Sequence, residues 1–148
     1  MTPFPSCVPK VVIPFMVEMV LRELQRSHIT PFNVVLLFEK EGERFFPIYI
    51  GAEEARATDN ALHNMTNPRP LTHDLISNVI AGLGAELMGI YVDSLENETF
   101  HGKLLLKTAS GDHIKIDSRP SDALVLATKH KVPIYVAEDV LNQTFHTE

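Results

Sequence analysis

The chain is 148 residues long, carries a formal net charge of −6, and is 45% hydrophobic and 22% charged. That length suits one domain able to remove roughly 68% of its unfolded surface from water, and the acidity argues against a protein that coats nucleic acid through bulk phosphate neutralisation. No apolar run approaches the roughly 20 residues that span a bilayer, and the lone cysteine, Cys7, excludes an internal disulfide, which is compatible with a reducing cytoplasm.

The first stretch, MTPFPSCVPKVVIPF, is interrupted by Pro3, Pro5, Pro9 and Pro14. It lacks a basic start followed by an unbroken apolar segment, so it does not read as a secretory signal. It is expected to be a flexible Pro-rich arm over residues 1–15, ahead of a single domain over 16–148. Met16 to Leu24 fits a strand or a turn and a half of helix, and the strand is preferred. Residues 33–50, NVVLLFEKEGERFFPIYI, are two β-branched and aromatic runs about Gly42, the pattern of a hairpin.

Ala52 to Met65 reads as a helix with Glu53 and Glu54 in its first turn, where the helix dipole favours negative charge. In THDLISNVIAGLG, Leu75, Ile76, Val79, Ile80 and Leu83 fall on one stripe, which predicts a helix with one buried face that ends at Gly82 and Gly84. ELMGIYVDSL and TFHGKLLLKT follow as strands. The second alternates Phe100, Gly102, Leu104 and Leu106 with Thr99, His101, Lys103 and Lys107, which implies one wet face. HIKID is a further strand, Pro120 to about His130 a third helix, and VPIYV a short buried strand. Strand meanders broken by helices indicate an α+β fold: a largely antiparallel mixed sheet of about six to seven strands packed with three main helices.

Charge is uneven along the chain. Residues 101–131 sum to +3 while residues 1–100 sum to −6, so either a basic face or merely scattered solvated charge is open. Within that segment lies the densest polar knot, Asp117, Ser118, Arg119, Pro120, Ser121 and Asp122. A residue before proline is held extended, so Arg119 is the natural N-cap and Pro120 the first helical residue. Asp122 then falls at the third position, from which a carboxylate can reach back to a free backbone N–H. This explains Pro120 and part of Asp122 but gives Arg119 and Asp117 no structural task. An arginine fixed at a helix start is a good cradle for an anion.

A similar assembly, NPRPLTHDL, precedes the second helix, with Arg69, Pro70, Thr72 as expected N-cap, His73, and Asp74 in the first turn. Repeated good capping is one reading. If the two starts converge, they gather two arginines, an imidazole and three carboxylates, and make a site.

FPIYIGAEEARA, RPLTHDLI, TFHGKLLL and IDSRPSDALVLATKHKVPIYVAEDVL, in this order and spacing, closely resemble the bifunctional nuclease domain family, formerly a domain of unknown function. The resemblance covers about Val34 to Leu141. It implies a small α+β protein that forms homodimers and degrades RNA, DNA or both, as plant relatives are described as doing. Thr58 and Asp59 depart from it, standing where more apolar residues are expected.

Phosphodiester hydrolysis requires an activated water, neutralisation of developing charge, and commonly one or two divalent cations on carboxylates. Under the resemblance, Asp74, Asp117 and Asp122 are therefore expected to bind metal or activate water, with a divalent cation (Mg or Mn) on Asp117 and Asp122. His73 serves as general acid or base, and Glu54 is a further candidate. Arg69 and Arg119 clamp phosphate by bidentate hydrogen bonds, and Ser121 is counted with them as phosphate-binding, though it serves the helix start more than the chemistry. His63, His101, His113, His130 and His146 read as spectators, and no zinc-type Cys/His cluster or Gly-rich phosphate loop occurs. The rival reading is a non-catalytic module that binds a ligand or partner and in which the same Arg and Asp residues are caps and ion pairs.

Overall fold

A computed structural model describes residues 16–27 and 29–147; the expected arm over 1–15 lies outside the described residues. β1 (Met16–Gln25) is a strand, as preferred from its sequence, and pairs antiparallel with β2 (Asn33–Glu39). β2 forms the expected hairpin with β3 (Arg44–Ile50), in a register that sets Val35 against Ile48 and Phe38 against Phe45. Two helices follow, α1 (Ala52–Leu62) and α2 (Thr72–Gly82), then the strands β4 (Glu86–Glu96), β5 (Thr99–Lys107) and β6 (His113–Ser118) as a meander. α3 (Pro120–His130) leads to β7 (Ile134–Ala137), α4 (Glu138–Thr144) and the two-residue β8 (His146–Thr147).

All eight strands belong to one sheet in the order β6-β5-β4-β7-β1-β2-β3-β8. Every pairing is antiparallel except β4 with β7, and α3 crosses between those two regions of the chain. The fold is thus the expected α+β arrangement with a largely antiparallel sheet. α4 and β8 add to the expected elements. α4 has seven residues, of which Val140 and Leu141 are buried, and so short a segment shows no helical periodicity.

The core explains why the polar knot is held firmly. Ala123, Leu124, Val125, Leu126 and Ala127 of α3 are all buried in succession, so this helix is covered all round rather than along one stripe. Its neighbours in the core include Val35, Phe46 and Ile48 of the hairpin and Ile90, Val92 and Leu104 of the meander. Each fully buried Leu of this kind contributes about 1.5–3 kcal/mol. Although β3 and β5 are not neighbours in the strand order, Phe46 and Phe100 stand 5.9 Å apart between ring centroids. The sheet therefore curls around α3, leaving a seam between β3 and β5.

Two expectations about faces are corrected. In α2 only Ile80 is buried, with Ile76 half-buried, while Leu75, Val79 and Leu83 are more than half exposed. The apolar stripe is wider than one neighbouring helix can cover. In β5 the supposedly wet face also buries Leu105, which joins Met16 and Tyr91 in a small cluster on the side of the sheet away from α3.

Candidate active site at three helix starts

The two Arg-Pro helix starts do converge. His73, at the second position of α2, places its Nε2 2.9 Å from Oδ1 of Asp122, at the third position of α3. Arg119 adopts extended backbone as the N-cap of α3 and Pro120 opens the helix, as the sequence requires. Its Nε donates to Oδ2 of Asp122 at 3.0 Å, and one Nη donates to Oε2 of Glu54 at 3.2 Å. Glu54 belongs to the first turn of α1, so the starts of three helices meet.

Asp122 does not reach back to a backbone N–H as expected; both its oxygens serve the side chains of His73 and Arg119. Burial works to raise its pKa, but the hydrogen bonds from Arg119 and His73 outweigh that, and the carboxyl titrates below its ordinary range. Asp122 as a carboxylate is an acceptor only, so this contact requires a proton on His73 Nε2; the tautomer that carries its one proton there has Nδ1 free to accept. The Arg119 pKa is raised, chiefly by Asp122.

At the start of α2 the N-cap is Leu71, not Thr72, which is the first helical residue. Leucine has no side-chain acceptor, so only the acid half of a capping box forms: the Leu71 N–H donates to Asp74 Oδ2 at 2.9 Å. The other Asp74 oxygen accepts from Lys129 Nζ at 2.6 Å, and Lys129 followed by Leu71 holds its pKa below the usual carboxylate range. Asp74 thus ties α2 to the far end of α3.

The remaining candidates lie apart from this cluster. Asp117 is 81% exposed at its side chain and lies 3.4 Å from Lys103, its cross-strand partner. Strand alternation sends both to the face opposite Leu104, away from α3. Lys103 also reaches Asp93, whose second oxygen is buried without a hydrogen bond among the described residues. Arg69 is exposed and forms no ion pair among the described residues, although Pro70 beside it lines the cleft. Ser121 is half-buried and lines a neighbouring hollow.

A cleft of about 520 Å³ opens over His73, Arg119, Asp122 and Glu54. It is also lined by Arg56, an exposed side chain one turn into α1 that the sequence reading passed over. Spacing on α1 was the available signal, since Glu53, Arg56 and Asn60 recur three and four residues apart and so share a face. Arg119 uses Nε and one Nη on carboxylates; its other Nη has no partner among the described residues and is available to a ligand.

The donor set does not fit a shared cation on Asp117 and Asp122. Asp117 faces Lys103, both Asp122 oxygens are engaged, and among the described residues no three His, Cys, Asp or Glu side chains converge as a metal site. Two glycines shape the site. A Cβ on Gly102 would lie 3.1 Å from the Ser118 carbonyl oxygen and 3.3 Å from Pro120, so its absence lets β5 pass close under the start of α3. A Cβ on Gly51 would meet the Glu54 carboxylate at 2.6 Å. The unexpected Thr58 is buried on α1 and donates to the Glu54 carbonyl oxygen at 2.8 Å, which satisfies its hydroxyl inside the helix. Of the histidines read as spectators, His130 shares a 2.9 Å hydrogen bond with Ser77, and burial followed by Lys129 lowers its pKa.

A small α+β domain with an arginine, histidine and carboxylate cleft at meeting helix starts has the chemical equipment to receive an anion. The chain belongs to the bifunctional nuclease domain family: a sequence model of the Bifunctional nuclease domain matches residues 35–148. It is 43% identical over 110 residues to an uncharacterized protein of Mycobacterium tuberculosis, covering 74% of this chain and 65% of that protein. It is 31% identical over 106 residues to bifunctional nuclease 2 of Oryza sativa subsp. japonica, covering 70% of this chain and 32% of that protein. Against the bifunctional nuclease of Oryza minuta the identity is 25% over 118 residues, covering 78% of this chain and 36% of that protein. The chain thus spans about a third of the plant relatives and under two thirds of the mycobacterial one. Among the described residues no helix is long and apolar enough to cross a membrane.

Proposed function

We propose that the protein is a phosphodiester hydrolase acting on RNA and DNA at the cleft between the starts of α1, α2 and α3. The observation that carries this reading is the hydrogen-bonded row His73, Asp122, Arg119 and Glu54 in the wall of an open cleft. Arg119, with Arg56 in the lining of the same cleft, holds the non-bridging phosphate oxygens and neutralises the charge that grows on them. Asp122 fixes the imidazole so that Nδ1 of His73 takes a proton from water. The water oxygen bonds to phosphorus, the bond to the leaving sugar oxygen breaks, and that oxygen takes up a proton from the imidazolium or from solvent. A water nucleophile needs no 2′-hydroxyl, so the same residues serve RNA and DNA.

No step is routed through a metal here, because the carboxylates do not form a shared site; the expected Mg or Mn remains a proposal for the assay below. The protein is further proposed to be cytoplasmic and to form a homodimer, for which the exposed apolar side of α2 offers a face. The rival reading, a non-catalytic binding module, is favoured by one observation: the Asp122 oxygens are already satisfied within the protein.

The test compares wild type, Asp122→Asn and Arg119→Ala on single-stranded RNA and DNA with magnesium, manganese or a chelator, alongside melting curves. Loss of cleavage at an unchanged melting temperature supports the site. Equal cleavage by all three proteins points to a contaminant and sinks the reading, and a large fall in melting temperature favours structural caps.

A further inference from the structure

A second hollow of about 340 Å³ adjoins the cleft and shares Glu54 and Arg119 with it. It lies in the seam of the curled sheet, between the end of β3, the start of β5 and the start of α3. Its lining differs in kind from the cleft: Tyr49 and Phe100 are aromatic, and Thr99 and Ser121 bring hydroxyls. Among the described residues no strand pairs with the outer side of β3 beyond Phe45, because β8 pairs only with Arg44 and Phe45. Along residues 47–50 the outward backbone groups, Pro47 offering only its carbonyl, therefore have no strand partner among the described residues.

Tyr49 is 67% exposed, although it sits in a strand whose flanking residues Ile48 and Ile50 are buried. Its cross-strand partner is Val34. The exposed Tyr49 ring shares this hollow with a guanidinium and two hydroxyls, which matches the needs of an unpaired nucleobase: a face to stack on and polar groups to meet its edge.

We propose that the protein takes single-stranded nucleic acid, with one phosphate on Arg119 and the adjoining base stacked on Tyr49 in this seam. The inference rests on the nuclease reading for the phosphate, while the base site stands on its own geometry. A base inside a duplex is paired and stacked on both faces, so it must be extruded before it reaches Tyr49. Single strands are accordingly preferred over duplexes of the same sequence, for RNA and DNA alike.

The experiment uses a short single-stranded DNA carrying 2-aminopurine and the cleavage-impaired His73→Ala protein. Binding quenches the probe fluorescence. Adding Tyr49→Ala weakens binding roughly 5- to 150-fold and abolishes the quench, Tyr49→Phe retains both, and the same strand annealed to its complement binds more weakly than the free strand. Equal affinity of the Tyr49→Ala protein, or of the duplex, overturns the proposal. In the otherwise wild-type protein, Tyr49→Ala leaves hydrolysis of bis(p-nitrophenyl) phosphate unchanged, since that substrate has no base; a parallel loss there overturns the separation of base site from chemistry. If wild type fails to hydrolyse that diester at all, the nuclease reading falls while the fluorescence arm still decides the base site.

Discussion

His73 Nε2 and Asp122 Oδ1 meet at 2.9 Å although the residues are 49 positions apart in the chain. One contributes an imidazole, the other a fixed charge that orients it. His73→Ala should lower kcat on single-stranded RNA and DNA by roughly 10²- to 10⁴-fold, with a melting temperature within a few degrees of wild type. A drop much below tenfold would remove His73 from the chemistry.

The lowered pKa of Asp122 fixes a direction for stability against pH. A carboxyl whose folded pKa lies under its unfolded value of 3.8 stabilises the protein fully above that value, and the contribution is lost as pH falls through the lowered one. Asp74 behaves in the same way through Lys129. Denaturant unfolding from about pH 6 down to about pH 2 should therefore show an acid-limb loss that is shallower in Asp122→Asn and Asp74→Asn than in wild type. Parallel acid limbs in all three would show that these carboxyls keep ordinary pKa values.

Arg119 differs from a surface lysine by using a planar fork: two donors on Asp122 and Glu54, and another facing the cleft. Arg119→Lys keeps the charge and loses the fork. KM for a nucleic acid substrate should rise by about 10- to 150-fold in Arg119→Ala and recover only in part in Arg119→Lys. Full recovery by lysine would mean that only the charge matters.

Gly102 sits where β5 runs beneath the Ser118 to Pro120 turn. Adding a methyl group there presses on backbone, which cannot move aside like a flexible side chain. Gly102→Ala should cost about 1–3 kcal/mol of stability and reduce cleavage, because the start of α3 carrying Arg119 shifts. A variant with unchanged melting and activity would show that this approach tolerates a Cβ.

Asp117 separates the two views of metal binding. Its pair with Lys103 is exposed, so Asp117→Asn should change stability by under about 1 kcal/mol and leave cleavage near wild type. A selective loss of activity in limiting magnesium or manganese would instead make Asp117 a ligand after all.

The exposed side of α2 gives the assembly a direct check. If the proposed homodimer forms through this face, Leu75→Glu with Val79→Glu should convert it to a monomer in sedimentation while leaving the fold intact. An unchanged mass would place any second copy elsewhere.

The sequence by itself determined what depends on neighbours within about one turn or one strand. The Arg119 cap, Pro120 at the first helical position, the hairpin about Gly42 and the α+β class all follow from backbone restriction and side-chain period, which act over two to four residues. Those same rules overreached at Thr72, where Leu71 takes the cap, and were silent on α4, which is too short to show a period.

Only the tertiary structure decided which side chains share a site. Alternation puts Asp117 on one face of β6 but cannot say that α3 packs on the other, so nearness in sequence does not bring the side chains of Asp117 and Asp122 together. Periodicity marks the α2 stripe as apolar but cannot say how much of it another helix covers. Glu54, Arg56 and Tyr49 reach the cleft and its seam because the sheet curls around a helix buried through its middle, from Ala123 to Ala127, and that curl is set by the packing of residues far apart in the chain.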